Sequence, residues 1–286
     1  MTWRKNVLFK KLNRYGHNVY RVPYNLMINK NEYFKSPPIL ANSFPKSGTH
    51  LLIQILQVIP GCLDWGLFLA STPSFIFREI HEKKMCQKIN KIVPNELVSS
   101  HLYYSDQVAK KLADKNVVHY FIYRDPRDVV VSGVHYLTYM NRWHNLHKYF
   151  KSLPDIDARI KYHIIGLADS KSKIFPNVKE RFESYRRWIE SPYVLDIKYE
   201  NLVSNEKHCI IKYILSHYNN ISGRKYDLDL LTKCALENIN PYKSHTFRKG
   251  KTSSWKEYFS QDNKELFKEY AGDLLIDLGY ETDFNW

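Results

Sequence analysis

A single α/β domain, its central parallel sheet flanked by helices, is the fold class the sequence predicts. Short apolar, β-rich runs alternate along the chain with longer stretches of helical periodicity, the pattern of parallel strands joined by crossover helices. The 286 residues suit one large α/β domain or two small ones, at roughly 100–200 residues per domain. No repeat, low-complexity tract or Gly/Ser linker marks a boundary, so the expectation is one domain over 1–286. A hydrophobic fraction of 44% with 15% aromatics can fill a core and excludes intrinsic disorder.

The elements follow in order. Residues 1–35 are expected to form an N-terminal helical segment. Its start, MTWRKNVLFKK, lacks the uninterrupted apolar stretch and small-residue cleavage site of a signal peptide. Pro38 to Phe44 reads as a strand and Thr49 to Ile59 as a helix. Glu96 to His101 is a second strand, and Val117 to Tyr123 is the strongest one. Asp125 can cap the helix that follows, read from Asp128 to Met140. Tyr193 to Tyr199 is a further strand, after which Ser204 reads as the N-cap of a helix through Tyr218, with Ile210, Ile211 and Ile214 at helical spacing. Asp227 to Ile239 and Asn263 to Leu278 are helices, and the polar, basic stretch Asn240 to Ser254 between them reads as an exposed loop.

Lys and Arg number 43 against 29 Asp and Glu, a formal charge of +14. That excess points to an anionic partner: nucleic acid, an acidic membrane or a phosphorylated small molecule. No apolar run approaches the roughly 18–20 residues needed to span a bilayer. Cys62, Cys86, Cys209 and Cys234 are far apart and form no C-x-x-C pair, which excludes a disulfide scaffold or a cysteine zinc site and fits a cytoplasmic, reducing compartment.

Phe44-Pro45-Lys46-Ser47-Gly48-Thr49-His50 lies between the first strand and first helix. There backbone N–H groups can converge on an anion at a helix N-terminus. Lys46 adds a full charge, Gly48 permits close approach, and Ser47 and Thr49 offer hydroxyls. The order is not that of a Walker loop, because Lys46 precedes Gly48. Gly250-Lys251-Thr252 has the ending of one, but His245 stands where its first glycine belongs. Neither segment is followed by a clear Mg-binding carboxylate, so phosphate binding without Mg-nucleotide hydrolysis is expected. Arg124, at the carboxyl end of the strongest strand, can grip a phosphate bidentately, with Ser132 two helical turns on. Arg248-Lys249-Gly250 forms a third basic cluster.

These segments resemble, in order, the three donor-binding motifs of the PAPS-dependent sulfotransferases. FPKSGTHL is similar to the family's 5′-phosphosulfate loop, YRDPRDVVVSGVHY to its 3′-phosphate motif R-[ND]-P-[KR]-D-x-x-x-S, and RKGKTSSWKEYF to its C-terminal R-K-G-x-x-G-D-W-K-x-x-F segment. The matches run from 44 to 259. The resemblance implies a P-loop-like phosphate site in which Lys46, Ser47, Gly48, Thr49 and His50 bind the 5′-phosphosulfate. It implies that Arg124, Ser132, Arg248, Lys249 and Gly250 hold the 3′-phosphate, and that Tyr199, in a segment resembling Y-E-[DN]-[LM], lies near the adenine. His101, in Ser99-Ser100-His101-Leu102-Tyr103, matches the catalytic histidine of K-x-H-L-P; with Lys46 and Ser132 it completes the expected catalytic set. The donor would be PAPS and the product PAP, with no metal. Leu51 replaces the family's adenine-stacking Trp, and Ser253-Ser254 replace Gly-Asp. The dimer motif K-x-x-x-T-V-x-x-x-E is absent, which leaves the oligomeric state open.

Aromatic residues and histidines crowd Trp65 to Phe77, His101 to Tyr104 and His135 to Trp143, which in such a fold should surround an acceptor. The loop resembles that of bacterial members, including cyanobacterial saxitoxin-tailoring sulfotransferases. A small-molecule acceptor, a guanidinium alkaloid sulfated on a hydroxyl or a carbamoyl nitrogen, is therefore expected, without nucleic-acid binding or stable membrane insertion. Two other classes stay open: a kinase with a variant phosphate loop, which predicts Mg-ATP binding, and a basic nucleic-acid-binding module, which predicts steep salt dependence.

Overall fold

The structure, a computed structural model, describes residues 29, 31–75, 78–168, 173–240, 242 and 250–286. Most of the expected N-terminal segment, together with Arg248 and Lys249, lies outside the described residues.

A one-turn helix α1 (Glu32–Lys35) leads into β1 (Ile39–Ser43), whose residues are all buried, and α2 (Thr49–Leu56) follows. Then come β2 (Phe68–Ala70), α3 (Glu82–Ile89), β3 (Leu97–His101) and α4 (Asp106–Asp114). β4 (Val118–Tyr123) is buried throughout and feeds α5 (Pro126–His135). Next are α6 (His147–Ser152), α7 (Ile156–Ile165), the small antiparallel pair β5 (Leu167–Ala168) and β6 (Lys173–Phe175), and α8 (Val178–Arg186). β7 (Val194–Lys198), α9 (Tyr199–Leu202), α10 (Lys207–Ser222), α11 (Leu228–Asn238), α12 (Trp255–Tyr258) and α13 (Gln261–Asp277) complete the described chain.

The sheet has the order β2-β3-β1-β4-β7, with every pairing parallel. Burial on both faces is what near-continuous apolar strands such as Val-His-Tyr-Phe-Ile-Tyr require. Alternation divides the side chains between two cores. Ile39, Ala41, Tyr120 and Ile122 face α2, α10 and α11. Leu40, Phe121 and Tyr123 face the larger core of α3, α4, α5, α7, α8 and α13. The chain leaves β1 toward β2 on one side and leaves β4 toward β7 on the other. A crevice therefore opens between the carboxyl ends of β1 and β4, the position where open parallel sheets bind ligands.

The helix expected from Asp128 to Met140 starts two residues earlier, as α5 at Pro126, capped by the Asp125 carboxylate on the Arg127 N–H, and runs on without a break into a π-turn over Tyr136–Met140. The π-turn closes with the Asn141 N–H reaching back five residues to the Tyr136 carbonyl at 3.0 Å. Tyr199 opens α9 rather than ending β7. Ser204 is not an N-cap: α10 starts at Lys207, and the Ser204 hydroxyl instead accepts from the Glu206 N–H. The expected exposed loop ends at a buried Ser254.

Candidate active site

The loop after β1 is shaped by two left-handed residues, Lys46 (φ 72°) and Gly48 (φ 101°). For a lysine this conformation costs on the order of 1–2 kcal/mol, the kind of strain that accumulates at functional loops. Gly48 is the N-cap of α2, whose first N–H groups have no intrahelical acceptor. A Cβ at Gly48 would stand 2.6 Å from Cδ2 of Tyr199, so glycine is needed for contact as well as for backbone conformation. Ser47 is buried, and its hydroxyl has no partner.

On the β4 side of the crevice Arg124 lays its guanidinium 4.6 Å over the Tyr199 ring. Its Nη2 donates to Asp128 Oδ2 at 2.8 Å and to the Lys251 carbonyl at 2.6 Å, while its buried Nε has no partner among the described residues. The Tyr199 hydroxyl donates to the Gly250 carbonyl at 3.3 Å. Tyr199 and the Gly250-Lys251 segment, the latter 127 residues away in sequence, thus converge on one turn. The other charged residues of the turn clasp the C-terminal segment, a role the sequence did not reveal. Asp125 holds Arg127 (Nη2 to Oδ2, 2.8 Å), and Arg127 also reaches Glu281 at 2.5 Å. The Arg127 guanidinium packs 4.0 Å over Trp255 and 4.5 Å over Trp286. Asp128 Oδ1 accepts the Trp255 N–H at 3.0 Å.

His101 ends β3. Its Nδ1 lies 3.0 Å from the Ser43 carbonyl and 3.0 Å from the Ser43 hydroxyl, which meets the Thr49 hydroxyl at 2.6 Å. A carbonyl only accepts, so Nδ1 carries the proton and Nε2 keeps a lone pair. Burial pushes the His101 pKa down to about 4; the Lys46 ammonium lowers it further, and the Ser43 carbonyl opposes both. Phe68 meets the imidazole edge-on, ring centroids 5.0 Å apart. Buried Asn42, which sequence patterning passed over, holds the strand ends together. Its Oδ1 accepts from the Ser43 N–H, the Ser100 hydroxyl and the Leu102 N–H, and its Nδ2 donates to the Leu102 carbonyl. Lys46 places its ammonium 4.3 Å over the ring of Tyr136, whose hydroxyl accepts from Asn141 Nδ2 at 2.7 Å.

A cleft of about 1290 Å³ joins these groups. One wing holds Thr49, His50, Leu51, Arg124, Tyr199 and Gly250, with apolar walls from Ile53, Leu202, Leu236 and Ile239. The other holds His101, Phe68, Tyr103, Tyr136, Tyr185 and Arg181. Lys46 and Ser132 also line it. The cleft thus brings together every described residue of the expected catalytic and donor-binding set except the buried Ser47; Phe68, Tyr103 and Tyr136 come from the expected acceptor stretches, whose Trp65, Tyr104 and Trp143 do not line it, and Tyr185 and Arg181 are additions.

The model of the sulfotransferase domain family matches residues 36–279, and the chain belongs to that family. Among solved structures it is similar to mouse sulfotransferase SULT7A1 complexed with PAP. That likeness covers 85% of this chain and 88% of the other, with 21% identity and a TM-score of 0.58. Retinol dehydratase in complex with androsterone and inactive cofactor PAP is similar over 89% of this chain and 83% of its own, with 16% identity and a TM-score of 0.55. Retinol dehydratase with retinol and PAP matches over 84% and 81%, with 16% identity and a TM-score of 0.53. No curated protein sequence matches the chain.

Proposed function

We propose that the chain moves the sulfuryl group of PAPS to a hydroxyl, amine or carbamoyl nitrogen of a small-molecule acceptor. The observation that carries this reading is the placement of a histidine with a free Nε2 lone pair at the same crevice as an anion-binding strand-loop-helix turn. The residues fit the donor. The buried Arg124 Nε, at the cleft, has no hydrogen-bond partner among the described residues, as expected of a group that awaits an anion. Lys46, Gly48, Thr49 and His50 would hold the 5′-phosphosulfate. Arg124, Ser132 and Gly250 would hold the 3′-phosphate, joined by Arg248 and Lys249. Leu51, Leu202, Leu236 and Ile239 offer the adenine an apolar slot where the family has a tryptophan.

The donor supplies an activated sulfuryl group. His101 takes the acceptor's proton at Nε2, Ser43 holding the ring through Nδ1. Lys46 sets a positive charge where the departing phosphate oxygen gains negative charge, and the crevice aligns the reactants. For the acceptor, the guanidinium alkaloid of the saxitoxin type has the rings of Phe68, Tyr103, Tyr136 and Tyr185 in its favour, since cations stack on aromatic faces. Glu79, also in the lining, adds to that, whereas the like charge of Arg181 stands against it. Mass spectrometry of mixtures with PAPS and a metabolite panel tests the reading. A sulfated product formed together with PAP is expected. A phosphorylated product formed only with Mg-ATP would replace it with a kinase.

A further inference from the structure

The acceptor wing contains a cation that the donor does not explain. Arg181, on α8, donates through Nη1 to the Pro176 carbonyl at 2.8 Å. Its Nη2 donates to the His163 carbonyl at 2.8 Å and to His163 Nδ1 at 3.1 Å. The guanidinium also lies 3.9 Å over the Phe175 ring. These bonds fix its position. They use three of its five N–H groups and leave Nε–H and one Nη1–H. The support behind it is rigid. His163, on α7, packs so closely on α5 that a Cβ at Gly133 would stand 2.1 Å from its Nε2.

What Arg181 lacks is a carboxylate in direct contact. Among the described residues, no carboxylate oxygen lies within 4.0 Å of it. Buried Arg124 and Arg127 each have an aspartate at 2.8 Å. Glu79, in the same wing, is exposed. Burial lowers the Arg181 pKa to about 9, opposed only in part by Tyr103, Tyr185 and the neighbouring Glu180 carboxylate, which makes no direct ion pair with it, so the group is still a cation at neutral pH. A desolvated cation without a contacting anion is costly, and the N–H groups left over can each donate a charge-assisted hydrogen bond to an anionic group.

We propose that Arg181 selects the acceptor: it binds an anionic group, a carboxylate foremost, on a flat, hydroxyl-bearing molecule whose body packs among Phe68, Tyr103, Tyr136 and Tyr185. The inference rests on the sulfuryl-transfer reading of the cleft. It names a hydroxy acid, rather than a cation, as the preferred substrate class.

Three phenols of similar size test it, with PAPS as donor: 4-hydroxyphenylacetate, 4-methylphenol and tyramine, whose tails are anionic, neutral and cationic. The acid should exceed the neutral phenol in kcat/KM by about tenfold or more, the scale of a charged hydrogen bond, and tyramine should be poorest. Arg181→Gln should level the series through KM while the affinity for 3′,5′-ADP stays unchanged, and Arg181→Lys should keep part of the preference. Calorimetry of the same three ligands on the 3′,5′-ADP complex reads the order whether or not turnover occurs. Equal affinities, tyramine favoured, no binding of any at millimolar concentration, or a series unaltered in Arg181→Gln would each overturn the inference. If Arg181→Gln does not fold, the wild-type order and Arg181→Lys decide. Failure to bind 3′,5′-ADP would instead remove the sulfuryl-transfer reading itself.

Discussion

At the scale of single residues, His101 shows how a strand end tunes a base. Its proton is pinned on Nδ1 by the Ser43 carbonyl, and burial with the nearby Lys46 ammonium brings its pKa to about 4. The base form is therefore present throughout the neutral range and is lost only as pH falls through about 4. The kcat/KM profile should lose activity near pH 4; a limb at the ordinary histidine value of about 6.5 would contradict the geometry. His101→Ala and Lys46→Ala should each lower turnover by about a hundredfold or more, measured as sulfated product per enzyme. Tyr136 is a positioning residue for Lys46. Tyr136→Phe keeps the ring face and should be nearly neutral, whereas Tyr136→Leu should lower kcat by about two- to fivefold, the worth of an exposed cation–π contact of roughly 0.5–1 kcal/mol. Equal rates for the two variants would remove that role. His101 and Lys46 were legible because each sits at a strand end within a motif. Asn42 was not, since one polar residue in an apolar strand has no distinguishing local pattern, and Tyr136 was legible only as part of the aromatic stretch His135 to Trp143, not as a partner of Lys46.

At the scale of elements, the turn after β4 performs two tasks that its sequence presents as one motif. Arg124 faces the crevice, while Asp125, Arg127 and Asp128 hold α12 and the chain end in place. Arg127→Met would strip a buried carboxylate of its partner, a loss of about 3–5 kcal/mol, visible as a lower urea midpoint. An unchanged midpoint would show that the clasp is dispensable. The strands β1, β3, β4 and β7 were legible within a residue or two. β2, at three residues, is too short for periodicity to register. α3 offers only Met85 and Ile89 as buried anchors in an otherwise polar, largely charged run, so its helical signal is weak. The continuous helix through Met140 was legible from its apolar pattern, whereas the switch of its last turn to π-type bonding carries no signal in that pattern.

At the scale of the whole molecule, the strand order creates the site by placing β1 between strands whose connections diverge. That order comes from long-range pairing and was not legible beyond its parallel character. Folding also buries histidines as neutral groups: burial lowers the pKa of His144 to about 4 and of His119 to about 3. The unfolded chain takes up these protons near pH 6.5 and the folded chain only at lower pH. Between those limits the unfolded state binds more protons, so stability falls with acidification. The melting temperature should drop from pH 6.5 toward 4; a flat profile would contradict the burial of these groups. Few of the chain's 43 cationic side chains face the crevice, so most of the +14 excess acts, if at all, as a steering field.

Calorimetric titration with 3′,5′-ADP in the absence of metal tests the central claim most directly. Saturable one-to-one binding, weakened in Arg124→Ala, is the predicted result. No binding of 3′,5′-ADP, or binding of Mg-ATP in its place, would contradict it.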